Sequence, residues 1–324
     1  MLKYLYFEKN GENMSKKKYI STAMLFTAAV IWGFAFAAQD AASNMGAFTL
    51  GFARSIVAGI FLVGVVMVFD KILDTNRRLI SKKGIDINKI ELISGVILGI
   101  VLVVASAFQQ KGINSGTDGG KAAFITALYV VLVPVYALAL KKKAPINVWI
   151  SIMIAVVGFY FLCIKNDLTI DTSDILVIAA SMIFPIHILT IDHFSPKCDG
   201  IRMSLVQFFT AAALNLVIAI ITESATDFAL ILPNMLPILY LGIGSSGIAY
   251  TLQILGQNGV NPAAASIILS LESVFGVIGT ALFLGKTLTP REYLGCAIVL
   301  VAVILSQIDL GALIKKKTAN KEEN

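Results

Sequence analysis

Glu272 stands near the middle of an apolar run, Pro262 to Leu284, that is long enough to cross a bilayer. A carboxylate at that depth costs at least ~2.5 kcal/mol on insertion scales, so it must pair, take up a proton or meet water. Its chemistry is that of an amine-binding or proton-carrying group. The structural alternative is a plain hydrogen bond to a neighbouring serine or a backbone carbonyl. Arg54, two turns into an earlier apolar run, offers the opposite charge, and its guanidinium fork suits a substrate carboxylate. It could equally snorkel to the headgroups or pack on a carbonyl. His187 follows Pro185 by two residues and can exchange a proton near neutral pH. The expected role is the structural one, satisfying a carbonyl that the proline ring frees.

Other polar groups in apolar surroundings complete the candidate set. Trp32 lies too deep for the interfacial belt that tryptophan favours, so it is expected to line a cavity. Gln109, Gln110, Gln207 and Tyr250 are available for substrate hydrogen bonds, although interhelical glue worth ~0.6 kcal/mol each is the cheaper explanation. Lys121 reads as an interfacial anchor. Gly242, Gly244, Ser245, Ser246, Gly247, Gly276 and Gly279 are assigned to close packing and motion rather than to ligand contact. Pro134 and Pro185 are expected to kink or break their helices. Cys163, Cys198 and Cys296 are far apart, so no metal site, disulfide framework or cofactor is implied. Nor does any run carry a nucleophile with a matched base, and an enzyme is not expected.

Of the 324 residues, 57% are hydrophobic and 14% charged. A soluble domain carries about a quarter charged residues, so an all-α polytopic membrane protein fits better. Apolar runs predict ten transmembrane helices, at 19–39, 48–69, 90–110, 121–140, 146–164, 174–191, 203–222, 235–255, 262–284 and 291–308. Basic residues gather in alternate connections: Lys16 to Lys18, the loop with Asn76, Arg77, Arg78, Lys82 and Lys83, Lys141 to Lys143, and Lys315 to Lys317. Both termini are therefore expected in the cytoplasm of a cell-membrane protein, with Lys82 inside and Asp167 outside. The net charge of +6 serves topology on this reading, and no nucleic-acid partner is expected. Met14-Ser15-Lys16 also has the look of a translation start.

Residues 108–164 match the chain 144 positions later at Gln109/Gln253, Gly112/Gly256, Asn114/Asn258 and Lys142/Lys286. The expected organisation is a cytoplasmic tail (1–18), a first five-helix repeat (19–165), a second (174–308) and a basic cytoplasmic tail (309–324). Five helices per copy force the copies into opposite orientations, the inverted-repeat plan of many secondary transporters, with substrate near the midplane. Tyr129 maps onto Ser273, beside Glu272, and the two are expected to face each other.

Met24 to Ala38 with its Trp32-Gly33 pair, Phe52-Ala53-Arg54, and SLESVFGVIGTALFLGKTLTPREYLGCAIVLVAVIL from Ser270 to Leu305 resemble EamA-type transporters of the drug/metabolite transporter superfamily. The resemblance implies a ten-helix secondary carrier, an exporter of amino acids or other small metabolites, with Glu272 and His187 the candidates for a coupled proton. Substrate contacts are expected from Glu272, Arg54, Trp32, Tyr129, Gln109, Gln207, Tyr250 and Ser273. A drug or organic-cation exporter and a non-transporting membrane sensor are the competing readings. The lipid bilayer and a small molecule are the expected partners, and monomer and homodimer both stay open.

Overall fold

Polar residues between the apolar runs cap the helices, and the caps set where each begins. Asn88 accepts from the Glu91 amide (2.8 Å) while Glu91 accepts from the Asn88 amide (2.9 Å), a reciprocal box that starts a 26-residue helix. Asp171 and Asp174 form the same box, and Asp118, Asp199 and Asn261 each accept from an amide in the turn that follows.

The computed structural model describes residues 14–75, 86–142, 144–163, 171–284 and 289–307. The readings that rest on residues 1–13, Asn76, Arg77, Arg78, Lys82, Lys83, Lys143, Asp167, Lys286 and Lys315 to Lys317 lie outside them.

The helices are α1 (Met14–Ala41), α2 (Ala47–Thr75), α3 (Lys89–Asn114), α4 (Gly119–Ala127), α5 (Tyr129–Ala139), α6 (Ile146–Cys163), α7 (Thr172–Phe194), α8 (Gly200–Thr222) and α9 (Ala225–Ala229). Then follow α10 (Met235–Leu239), a π-helical stretch (Tyr240–Ala249), α11 (Tyr250–Gln257), α12 (Pro262–Leu269), α13 (Leu271–Leu284) and α14 (Pro290–Gln307). Among the described residues helix occurs within each of the ten predicted stretches, and there is no strand. Eight spans among the described residues are long and apolar enough to cross a membrane, and Ile146–Phe161 is a shorter apolar helix. Apolar side chains such as Ile60, Ile220, Ile221, Val301 and Ile304 face outward, while serines and glutamines are buried inside. That inversion of the soluble pattern is what a lipid solvent selects.

Helices from the two halves of the chain interlock. Along α2 and α8, Thr49 meets Glu223, Gly51 meets Asn215 and Gly59 meets Phe209, so the pair is antiparallel. Likewise Gly158 of α6 lies on Val299 of α14, and Asn147 donates to the Leu305 and Ser306 carbonyls at 3.4 and 3.3 Å. The repeated glycines do the same work in each half. A methyl group at Gly112 of α3 would come within 2.9 Å of the Ser173 carbonyl oxygen on α7; one at Gly256 of α11 would come within 2.9 Å of the Ser21 carbonyl oxygen on α1. Their neighbours repeat too: Asn114 donates to the Met45 carbonyl at 2.7 Å and Asn258 to the Ser195 carbonyl at 3.4 Å.

The prolines do not break helices where expected. The fourth predicted span is interrupted at Leu128, one turn and a half before Pro134, and the ninth at Ser270, just before Glu272; α7 runs unbroken through Pro185. An isolated proline removes a single amide, and close packing on the neighbouring helices keeps the ladder going around it. Lys121 is not a free interfacial anchor either: its ammonium lies 2.6 Å from Asp174 and 3.3 Å from Asp171, tying α4 to the start of α7. Lys142 pairs with Asp192 at the opposite ends of α5 and α7.

Candidate functional site

Between α1, α2, α3, α4, α5, α7, the π-helical stretch, α11, α12 and α13 lies a cavity. Both helix interruptions border it. Thr126 and Tyr129 flank the break at Leu128, Leu269 and Glu272 flank the break at Ser270, and all four side chains line the space. A broken helix presents successive side chains in directions that a continuous one cannot, which is how Glu272 comes to point inward from the first turn of α13.

Glu272 is 5% exposed and its Oε1 has no hydrogen-bond partner. The Tyr129 hydroxyl faces it, also without a partner at hydrogen-bond geometry. Across the cavity, Arg54 donates from Nε to Ser246 Oγ and from Nη2 to Ser245 Oγ, both at 3.1 Å. Among the described residues no carboxylate lies within 4.0 Å of its guanidinium. Glu272 and Arg54 therefore line one cavity without forming an ion pair, which would have closed the space between them.

Aromatic rings form the wall between them. Trp32 stacks at 4.6 Å from Tyr250 and donates from Nε1 to the Ser245 carbonyl at 3.2 Å. The His187 ring meets Tyr250 edge-on at 5.6 Å, and its Nε2 is buried with no partner. The carbonyl-satisfying role expected for His187 is not made through that nitrogen. Gln109 donates to Thr126 at 2.9 Å, and Gln253, its counterpart in the repeat, also lines the cavity with Oε1 unpaired. A buried polar atom without a partner forfeits ~1–3 kcal/mol. Several of them around one void are the mark of a space that water or a ligand fills.

Of the residues singled out from sequence, Glu272, Arg54, Trp32, Tyr129, Gln109, Tyr250 and His187 line this cavity. Two do not. Ser273 is fully buried and donates back to the Ser270 carbonyl at 2.8 Å, so it does not look across at Tyr129; Glu272 holds that place. Gln207 is fully buried next to His187 and outside the lining, with neither amide atom hydrogen-bonded. Conversely, Phe36, Gln39, Ser106, Phe184 and Ser245 line the cavity without having been expected to. Ser245 thus adds a cavity-lining side chain to a stretch assigned to close packing and motion. The spacing of Gly242 and Gly247, five apart around two serines, was the available signal.

A multi-pass helical bundle with a charged, aromatic-walled cavity at its centre is the architecture of a membrane transporter. The chain belongs to the EamA-like transporter family, which matches it twice, over residues 20–164 and 171–307. A relative from Archaeoglobus fulgidus, described as an uncharacterized transporter, is 28% identical over 306 residues that make up 94% of this chain and 91% of that one. A protein crystal structure 13% identical in sequence has the same fold, with a TM-score of 0.68 over 89% of this chain and 96% of the other.

Proposed function

We propose that this chain is a secondary active transporter that exports small zwitterionic metabolites, amino acids foremost, by alternating access. The observation that carries this reading is the separation of Arg54 from Glu272 across one cavity, each free of an ionic partner among the described residues. A substrate carboxylate would take the guanidinium, its ammonium group would sit between Glu272 and the Tyr129 hydroxyl, and its side chain would lie against Trp32, Phe36, Phe184 and Tyr250.

Alternating access is supported by symmetry. The antiparallel run of α2 on α8 and of α6 on α14, and the matching glycine and asparagine stitches, fit ten crossings in two inverted five-helix repeats. Exchange of the two repeats' conformations would open the cavity to one side and then the other. Both termini are cytoplasmic on this reading, and Glu272 and His187 are its candidates for exchanging a proton for substrate.

The test is counterflow in proteoliposomes carrying the purified chain, with the twenty proteinogenic L-amino acids as probes. Saturable uptake of at least one of them is the expected result, with loss of its uptake in Arg54→Gln. An organic-cation exporter is favoured by Glu272 and the aromatic wall alone; it would leave amino acids unmoved and quaternary ammonium compounds transported in Arg54→Gln as in wild type. A non-transporting sensor would bind without counterflow.

A further inference from the structure

Arg54 is held in an unusual way for a buried cation. A guanidinium has five donors and two usable edges. Nε and Nη2, which together form its side edge, are taken by Ser246 and Ser245, while Nη1 makes no protein hydrogen bond among the described residues. The forked end formed by Nη1 and Nη2 is thus left to the cavity that Arg54 lines. Had Asp or Glu held the side edge, the charge would have been cancelled. Two hydroxyls fix the direction of the fork and leave the charge intact.

Ser245 and Ser246 are consecutive, and an α-helix turns consecutive side chains through about 100°, which would send one of them away from Arg54. Here the helix winds as π over ten residues, Tyr240–Ala249. The wider winding turns successive side chains through a smaller angle, and both hydroxyls reach one guanidinium. Gly242 and Gly247 stand five apart, the hydrogen-bonding interval of a π-helix. A methyl group at Gly242 would come within 2.5 Å of Val57 and 3.0 Å of Arg54's own carbonyl oxygen; one at Gly247 would come within 2.6 Å of Phe61. These glycines let the wide helix lie directly on α2 beside Arg54. The Ser245 carbonyl meanwhile accepts from Trp32, so one residue sets both the cation and the aromatic wall.

We infer that Ser245 and Ser246 are positioning residues that aim Arg54 at the carboxylate of the substrate and so give the cavity its selectivity for acids over their neutral amides. This rests on the zwitterion reading above. Remove the hydroxyls and the guanidinium keeps its charge but loses its aim.

The experiment measures binding by thermal shift to the purified full-length protein in detergent, using the twenty L-amino acids and the corresponding amino-acid amides as probes. Wild type is expected to bind its preferred acid tighter than the matching amide by about tenfold or more, the equivalent of one charge-assisted hydrogen bond. In Ser245→Ala/Ser246→Ala that ratio is expected to fall to within about threefold with amide affinity unchanged, whereas Ser246→Thr, which keeps a hydroxyl, retains the wild-type ratio. A wild type that shows no acid preference removes the Arg54 reading and this inference together. A wild-type preference that survives the double substitution overturns this inference alone. Should the double variant fail to elute and melt as a folded protein, Ser246→Ala set against Ser246→Thr makes the same comparison, and equal ratios in those two overturn it.

Discussion

The two halves of the chain share their scaffold but not their chemistry. Gly112 and Gly256, and Asn114 and Asn258, do matching work at matching places. Both halves interrupt a helix at the cavity, after Ala127 and after Leu269. There the likeness stops: the 144-residue offset sets Leu128 against Glu272 and Tyr129 against Ser273. Tyr129 and Glu272 face the cavity while Leu128 is absent from its lining and Ser273 bonds back to its own helix. A symmetric frame supplies two equivalent arrangements of the bundle. An asymmetric substrate needs an asymmetric site, and the two halves differ at these positions.

The sharpest way to break that comparison is to move the charge. Glu272→Gln is expected to lower counterflow of the preferred amino acid by at least about tenfold, since a charge-assisted contact to the ammonium is lost, with membrane insertion unchanged. Adding Leu128→Glu, which places a carboxylate at the repeat-equivalent position, is expected not to restore it, because that side chain does not reach the cavity. Restored uptake in the double variant would mean that the halves are interchangeable at the site as well as in the frame.

The shared frame is tested by equal injury. Gly112→Ala and Gly256→Ala each press a methyl group onto a carbonyl oxygen of the partner helix, and overpacking of that kind costs ~1–3 kcal/mol. Both are expected to lower the melting temperature in detergent by similar amounts. Gly244→Ala, whose nearest neighbour would be 3.7 Å away, is expected to leave it unchanged. A large drop from only one of the first pair would show that the stitches are not equivalent.

Much of the frame was legible in the sequence because helix length, apolar runs and capping residues are local signals. Glu272 and Arg54 were also legible, since a charge inside an apolar run stands out against the hydrocarbon cost. What sequence did not show is depth and direction. Gln207 is as buried as Glu272, yet it sits behind His187 rather than in the lining, and Ser273 satisfies itself on the previous turn. Lys121 read as an interfacial anchor and Lys142 as a topology signal, whereas each closes a salt bridge to α7, at Asp174 and Asp192, partners that only folding brings near. Ser245 was overlooked because its role depends on π winding, for which an α-helical wheel gives the wrong face.

The finest test lies in the asparagine stitches, where the frame itself departs from symmetry. Asn114 reaches the Met45 carbonyl at 2.7 Å and also accepts from Gln110 at 2.8 Å, so its amide is engaged through both nitrogen and oxygen. Asn258 reaches the Ser195 carbonyl at a long 3.4 Å. A well-formed neutral hydrogen bond contributes ~1 kcal/mol net and weakens steeply as it lengthens. Asn114→Ala is therefore expected to destabilise by about 1 kcal/mol or slightly more, and Asn258→Ala by a few tenths. The order of the two melting temperatures decides it. If Asn258→Ala proves the more damaging, the end of the bundle near Ser195 is held more tightly than its geometry implies, and the end near Met45 is the one that yields first.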